Sequence, residues 1–177
     1  MEGVNRAMSE SIGLVRKEQV AEGTMAFTFS RPAQFEFRAG QAMDLTLIDL
    51  PQTDAEGDVR TFTIASAPST TTLMIATPDE GHRVQRVLHA AAPGLTLKLE
   101  GPSGSFNLHK NVAKPAVLLA GGIGVTPFLS IVRQAVKDGA RGASSSFLFQ
   151  PASGRHRVSE RARGPFGGEA GSAWFRR

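Results

Sequence analysis

The four residues Arg60-Thr61-Phe62-Thr63 combine side chains that together suit a flat, phosphorylated ligand. A guanidinium fork binds phosphate, an aromatic ring stacks on a flat heterocycle, and a threonine hydroxyl hydrogen-bonds a ring heteroatom. On a strand, Arg60 and Phe62 would point to one face, and Thr61 and Thr63 to the other. By itself, the run is also what an ordinary edge strand with one snorkelling arginine would show.

A second candidate is the run Gly121-Gly122-Ile123-Gly124, which follows the apolar residues 116–120 and precedes Thr126-Pro127. Glycine lets the backbone approach a pyrophosphate closely, and the start of a helix supplies N–H groups and a partial positive charge. The spacing differs from the G-x-G-x-x-G fingerprint of dinucleotide-binding folds. A tight strand-to-helix turn that needs glycine for steric reasons is the alternative.

Both candidates depend on the elements that position them. Short runs rich in Val, Ile, Leu, Phe and Thr, separated by Gly, Pro or Asp, predict six strands of an antiparallel barrel or sandwich. These strands are 12–20, 23–30, 43–49, 59–66, 71–77 and 95–100, and residues 82–91 form one short helix.

The pattern changes near residues 108–115, where we place a domain boundary. Residues 116–120 predict a strand that is covered on both faces. The helical spacing that follows predicts one buried face, formed by Phe128, Ile131, Val132, Ala135 and Val136. Thr126 is the expected N-cap, Pro127 the first helical residue and Gly139 the C-terminal stop. This order predicts the opening of a parallel α/β domain.

Composition excludes several other functions. The 177 residues contain no cysteine, which excludes a disulfide scaffold, a thiolate metal site and an iron–sulfur cluster held by this sequence. The four histidines have no metal-ligand spacing, so we expect no metal; they are His82, His89, His109 and His156. No secretory signal and no apolar run of membrane-spanning length is present, so we expect a cytoplasmic protein without a membrane span.

The charge is unevenly distributed. Residues 1–150 hold 14 Lys or Arg and 14 Asp or Glu, whereas residues 151–177 hold six Arg, two Glu and no Lys. An arginine-rich tail is typical of nucleic-acid binding, but the balanced charge of the preceding residues argues against a nucleic-acid partner.

Four motifs in order resemble the ferredoxin-NADP reductase superfamily over about residues 11–140. They are Phe37-Arg38-Ala39-Gly40-Gln41, Arg60-Thr61-Phe62-Thr63, Gly101-Pro102-Ser103-Gly104-Ser105-Phe106 and Gly121-Gly122-Ile123-Gly124-Val125-Thr126-Pro127. The resemblance implies a six-stranded antiparallel β-barrel that binds FAD at residues 8–110. It also implies a partial NAD(P)-binding α/β domain at 115–149. Phe106, Leu97 and Leu99 are expected in the core.

The resemblance also implies roles for single residues. Arg60 would hold a flavin phosphate, and Phe62 would pack on the isoalloxazine, where many relatives have Tyr. Thr63 would hydrogen-bond near N5 and is therefore the expected catalytic residue, with Thr61 beside it in the cofactor-binding motif. The ring's other edge would be lined by the next strand, through Ile75, Ala76 and Thr77.

The remaining cofactor residues follow from the other two motifs. Relatives usually have a small hydroxyl residue where the barrel's helix opens at the FAD pyrophosphate, but this sequence has Gly81-His82-Arg83 there. Arg83 is the expected substitute, although Arg83 and Arg86 also fit a solvated helix face. The glycine turn would bind the dinucleotide through Gly121, Gly122, Gly124, Thr126 and Pro127, with Thr126 approaching the nicotinamide.

The implied function is an FAD-dependent NAD(P)H oxidoreductase, in which hydride passes from nicotinamide to flavin N5. Electrons would then pass to a separate iron–sulfur or haem protein, or to a small-molecule acceptor. The alternative is a flavin-binding module that does not turn over NAD(P)H because its second domain is incomplete.

The tail carries one further hypothesis. The resemblance stops inside Ser146-Phe147-Leu148-Phe149, and the composition of residues 150–177 is typical of disorder. Codons for residues 146–158, if read one base later, permit a continuation like that of the relatives. We therefore expect residues from about 147 onward to be an out-of-frame or disordered tail.

Overall fold

The computed structural model describes residues 8–48, 57–79, 81–109, 111, 116, 118–139 and 147–150. Six strands form one antiparallel sheet in the spatial order β4-β3-β6-β1-β2-β5. They are β1 (Met8–Ala21), β2 (Thr24–Ser30), β3 (Ala42–Leu47), β4 (Val59–Thr63), β5 (Thr72–Pro78) and β6 (Thr96–Ser103), and the helix α1 (Arg83–Ala90) lies between β5 and β6. All six predicted strands and the predicted short helix are therefore confirmed.

Strand β1 joins the two halves of the sheet. Its first part pairs with β6, from Met8 opposite Gly101 to Gly13 opposite Thr96. Its second part pairs with β2, and the register shifts between Leu14 and Arg16, as at a β-bulge. A bulge bends a strand and increases its twist, which allows one long strand to serve both halves of a strongly curved sheet.

The sheet curls like a barrel but is not closed, because β4 and β5 are its two edge strands. We call the gap between these edges the seam. At one end of the seam, the backbone N–H of Ala65 donates to the carbonyl of Met74 over 2.7 Å. The seam is thus bridged at the loop that joins β4 to β5.

The core lies inside the curled sheet. Strand β3 alternates strictly, with Met43, Leu45 and Leu47 buried and the residues between them half-buried. Leu97 and Leu99 are fully buried, as predicted. Phe106 is 53% exposed, so its predicted place in the core was wrong. It lies beyond β6 and instead contacts Phe128 edge-on, with 5.5 Å between the ring centroids.

After the barrel, the structure contains the predicted strand–loop–helix unit, which consists of β7 (Leu118–Gly121), a 3₁₀ turn (Gly122–Val125), α2 (Thr126–Lys137) and β8 (Phe147–Gln150). Strands β7 and β8 are parallel. Among the described residues these are the two strands of the parallel sheet, so a complete α/β domain is not shown.

Two predictions about α2 were wrong in detail. Thr126 is not the N-cap but the first helical residue, because the preceding glycines wind into the 3₁₀ turn and Val125 becomes the cap. Val136 is 42% exposed, so the buried face is narrower than predicted and ends before it. The predicted stop is confirmed, since Gly139 has φ +68°, a conformation that favours glycine.

The division into domains at residues 110 and 115 stays a prediction, and both positions lie outside the described residues. The predicted tail after Gln150 lies outside them as well. Within the described part of the chain, no helix is long and apolar enough to cross a membrane.

Candidate functional site

The predicted flavin-binding residues lie on the two strands that border the seam. Residues 60–63 belong to β4 and residues 75–77 belong to β5. An edge strand has one row of backbone N–H and C=O groups outside the ladder, and these groups can bind the polar rim of a flat heterocycle. Sequence periodicity predicted the strands, and the strand order brings these two segments to one gap.

The register of β4 separates its side chains onto two faces. Arg60 and Phe62 stand opposite Leu45 and Met43, which are fully buried, so they share the inward face. Thr61 stands opposite Asp44 on the outward face and donates a short hydrogen bond to its carboxylate. Thr63 shares that outward face, opposite Ala42. A ligand that contacts both Phe62 and Thr63 must therefore reach around the edge of the strand.

Several predicted contact residues also have structural partners. Phe62 belongs to the barrel core and is only 8% exposed, so little of its ring is open to a ligand. The guanidinium of Arg60 donates to the carbonyls of Gly57 and Val59 over 3.1 and 2.7 Å. It therefore lies at the start of β4, next to the seam.

Strand β5 borders the opposite side of the seam. Ile75, Ala76 and Thr77 are all buried. The hydroxyl of Thr77 accepts a hydrogen bond from the amide of Gln85 over 2.5 Å. This contact joins β5 to the first turn of α1.

At the start of α1, several side chains form hydrogen bonds and an ion pair that the sequence did not predict. The amide oxygen of Gln85 accepts the backbone N–H of His82 over 2.7 Å. Arg83 forms an ion pair with Asp58, the residue immediately before β4, and both side chains are mostly buried. Arg86 donates to the carbonyl of Gly81 over 2.7 Å. Arg83 thus bridges the far end of the seam, from α1 to β4, and is already paired with a carboxylate.

The loop of residues 64–71, which joins β4 to β5, is fixed from several sides. The guanidinium of Arg31 donates to the carbonyls of Pro68 and Thr70 over 2.5 and 2.8 Å. The hydroxyl of Ser66 accepts the backbone N–H of Met74 over 3.1 Å. A loop whose backbone groups are this well satisfied is rigid, and it holds the edge strands at a set separation.

The helix α2 reaches the same loop through three polar side chains, Ser130, Arg133 and Gln134, which we call the α2 clamp. Ser130 donates to the carbonyl of Ser66 over 2.6 Å, and Arg133 donates to that of Ala65 over 3.1 Å. Gln134 accepts the backbone N–H of Ser69 over 3.0 Å. Burial lowers the pKa of the Arg133 guanidinium, because desolvation penalises its charge, and the charge of Glu18 acts in the opposite direction.

Sequence reasoning missed the α2 clamp and Arg31. The clamp residues are spaced as one helix face, three and four residues apart, which was the available signal. Polar residues with that spacing usually face water, so the pattern alone could not identify them as contacts to a distant loop.

The glycine turn of residues 121–124 differs from the loop of residues 64–71 in the space around its backbone. At Gly121, Gly122 and Gly124, an added Cβ would meet no atom within 4 Å. Gly122 has φ +50° and therefore needs glycine for its backbone conformation, but Gly121 and Gly124 do not have a positive φ. Among the residues that the structure describes, neither packing nor conformation requires glycine at 121 or 124. Their missing side chains leave an open cradle at the end of β7 and the start of α2.

No family model matches the chain. Its sequence is similar to dual oxidase 2 of Rattus norvegicus, with 30% identity over 139 residues that cover 74% of this chain and 9% of that protein. It is similar to the glycine betaine monooxygenase reductase subunit of Chromohalobacter salexigens, with 34% identity over 114 residues (62% of this chain, 30% of that protein). For ferredoxin–NADP reductase B of Sorangium cellulosum, the identity is 36% over 108 residues (60% and 43%). The chain thus spans less than half the length of each relative.

Solved structures share the fold. A ferredoxin NADP⁺ reductase from Neisseria gonorrhoeae with bound FAD and NADP superposes with a TM-score of 0.65 at 21% identity, covering 80% of this chain and 56% of that one. Phthalate dioxygenase reductase superposes with a TM-score of 0.63 at 23% identity, covering 81% and 43%. In fold, and in sequence over about 110 residues, the chain is thus similar to reductases of the ferredoxin–NADP reductase type.

Proposed function

We propose that this chain is the flavin-binding part of an NAD(P)H-dependent flavin oxidoreductase, with FAD bound along the seam between β4 and β5. The observation that carries the proposal is the seam itself, because both predicted flavin segments border it. When bound, a flavin supplies hydride acceptance from a reduced nicotinamide and the release of single electrons.

Different residues at the seam would contact different parts of FAD. Arg60, at the start of β4, would contact a phosphate of FAD through its guanidinium. Thr63, on the outward face at the other end of the strand, would hydrogen-bond the ring. Phe62 would contribute its ring edge while remaining part of the core. Ile75, Ala76 and Thr77 would line the other side and exclude water from the ring.

The role proposed for Arg83 is smaller than the sequence suggested. Its ion pair with Asp58 neutralises much of the charge that a pyrophosphate would need. The start of α1 would instead contribute backbone N–H groups and the partial charge of a helix N-terminus. Arg83 then acts by holding α1 against the start of β4.

The glycine turn fits the nicotinamide dinucleotide. The open cradle at Gly121 and Gly124 would admit a pyrophosphate close to the backbone, at the N-terminus of the 12-residue helix α2. Thr126 and Pro127 begin that helix, so Thr126 is the first side chain beyond the turn and would approach the nicotinamide. The electron acceptor would be a separate protein with an iron–sulfur or haem centre, or a small molecule. These 177 residues contain no cysteine that could hold an iron–sulfur cluster.

Titration of the purified chain with FAD, followed by flavin fluorescence, tests the flavin site. Arg60→Ala removes a charge-assisted phosphate contact worth roughly 1.5–3 kcal/mol. We expect FAD affinity to fall by about tenfold to a hundredfold. Arg16→Ala is the matched control, since the side chain of Arg16 is 63% exposed and pairs with Glu18 on β1. Equal FAD affinity in Arg60→Ala and the parent would refute the site.

The alternative is a flavin-binding module without NAD(P)H turnover, favoured by a parallel sheet that has two strands in the described part of the chain. Addition of NADH or NADPH to the FAD-loaded chain separates the two functions. Bleaching of the yellow flavin supports the reductase, and a yellow protein that does not bleach supports the module.

The coding DNA beyond codon 140 is the independent test of an out-of-frame tail. An open second frame of about a hundred codons, enough for a domain of typical size, is the expected result; early stop codons in that frame would end the hypothesis.

A further inference from the structure

The loop of residues 64–71 is held from both sides at Ala65 and Ser66. The backbone N–H of Ala65 donates to Met74, and its carbonyl accepts from Arg133. The hydroxyl of Ser66 accepts from Met74, and its carbonyl accepts from Ser130. Strand β5 and helix α2 therefore hold the same two residues, Ala65 and Ser66, which begin two residues after Thr63.

The α2 clamp achieves this with buried polar groups. Ser130 is fully buried, and Ser66 is 4% exposed. A buried hydroxyl is costly unless it is hydrogen-bonded, and apolar side chains would hold a helix against a barrel equally well. Two donors aimed at successive carbonyls do something that apolar packing does not do. They fix the orientation of both peptide planes and so the direction in which the chain leaves Thr63.

The N-terminal end of the same helix directly follows the glycine turn that is proposed to bind the nucleotide. Thr126 begins α2, and Ser130 lies four residues later, on the same face and one helical turn away. A rigid helix thus connects the residues proposed to meet the nicotinamide to the peptide units that set the Thr63 end of β4.

We propose that Ser130 and Arg133 are positioning residues, which hold the Thr63 end of β4 in a fixed place relative to the Gly121–Pro127 turn. This inference rests on the proposed flavin function. Neither side chain touches the cofactor; each acts through the backbone of residues 65 and 66 on Thr63. Misplacement of a contacting group by about 1 Å is enough to change reactivity strongly.

The test compares the affinities of each variant for oxidised and reduced FAD, obtained from a binding titration together with a potentiometric titration. Ser130→Ala and Arg133→Met each remove one donor. We expect each to change the ratio of the two affinities by about threefold or more, a typical size for coupled neighbours. A role in stability alone would lower both affinities together and leave the ratio unchanged. Lys137→Met, an exposed change on the same helix, is the control, and Arg133→Lys, which keeps a donor, should recover part of the ratio.

A double-mutant cycle with Thr63→Val then asks whether the effect passes through Thr63. We expect the change caused by Thr63→Val to shrink in the Arg133→Met background, since the hydroxyl would already be misplaced. Additive effects, an unchanged ratio, or failure of both Ser130→Ala and Arg133→Met to fold would overturn the inference. If the parent chain binds no FAD, the proposed function falls and this inference falls with it. If the parent binds FAD and the ratios do not move, only the positioning role falls.

Discussion

Two glycine-containing segments of this molecule have opposite surroundings. Gly40, in the segment of residues 37–41, has φ +94°, and an added Cβ would lie 2.0 Å from the carbonyl oxygen of Phe106. It would also lie 3.2 Å from the side chain of Ile131 on α2. At Gly121 and Gly124, an added Cβ would meet nothing within 4 Å. The first glycine is required by packing, whereas no packing in the described part of the chain requires the other two.

This difference in surroundings indicates that glycine has a different function in each of the two segments. The segment around Gly40 joins the barrel to the residues after β6 and to α2. Gln41 contributes to the same junction, since its amide donates to the carbonyl of Gly104 over 3.0 Å. Nothing in the described part of the chain gives a comparable reason for Gly121 and Gly124, which is why we propose a ligand's approach there. Both motifs carried the family resemblance, but we propose a ligand only for the second.

The largest effect that this comparison predicts is on stability. Gly40→Ala places a side chain in a left-handed conformation and against a backbone oxygen. We expect the free energy of unfolding to fall by about 3 kcal/mol or more, because conformational strain and a backbone clash add. Denaturant unfolding of the purified variant measures this loss.

Gly124→Ala is the matched control, because it makes the same substitution in open space with no positive φ. Its unfolding free energy should change by less than about 1 kcal/mol, and a small gain is possible through the unfolded state. A loss in Gly124→Ala as large as that in Gly40→Ala would break the comparison, since both glycines would then be structural.

A larger side chain in the open turn should affect ligand binding instead. Gly124→Val would fill the cradle at the start of α2 and block close approach of a pyrophosphate to the backbone. We expect at least about tenfold weaker NAD(P)H binding, equivalent to 1.4 kcal/mol, with FAD affinity unchanged. NADPH and NADH titrations of the FAD-loaded chain measure it. Unchanged flavin reduction by NAD(P)H in the variant would remove the dinucleotide assignment.

The sequence predicted those features that depend on neighbours along the chain. Alternation within β3 and Gly or Pro at the strand ends identified the strands, and Gly139 marked the end of α2. Strand order depends on pairing between distant residues, and so the seam between β4 and β5 could not be read from local patterns. The same applies to Ser130, whose partner Ser66 is 64 residues away.

Local reasoning failed where a distant contact decided the outcome. Phe106 looked like a core residue, but its position beyond β6 leaves it half in solvent, against Phe128. Arg83 stays a predicted phosphate ligand at a helix N-terminus, but local patterns did not reveal its ion pair with Asp58. The sequence predicted which types of residue form the candidate site, whereas their contact partners could be identified only from the fold.

The same kind of comparison applies to Arg60 and Arg83, the two arginines beside the seam. It predicts the smallest of the expected effects on stability and binding. Arg83 is paired with Asp58, with 14% and 20% of the two side chains exposed, and Arg60 donates to the carbonyls of Gly57 and Val59 at the start of β4. The carboxylate of Asp58 neutralises much of the charge of Arg83, so we expect Arg83 to matter for the fold. The family motif assigns the flavin phosphate to Arg60, so we expect Arg60 to matter for FAD.

Arg83→Met keeps the length of the side chain and removes its charge, leaving Asp58 without its ion-pair partner. The expected loss of unfolding free energy is about 1 kcal/mol, between the values for exposed and fully buried pairs. Asp58→Asn should cost a similar amount, and the double variant little more than either, because both remove one interaction. FAD affinity should fall by less than about threefold, far less than for Arg60→Ala. Denaturant unfolding of the cycle and FAD titration of Arg83→Met measure the two effects. A loss of FAD affinity equal to that of Arg60→Ala, with stability unchanged, would return Arg83 to the role of phosphate ligand, since an ion pair that only closes the seam cannot produce that result.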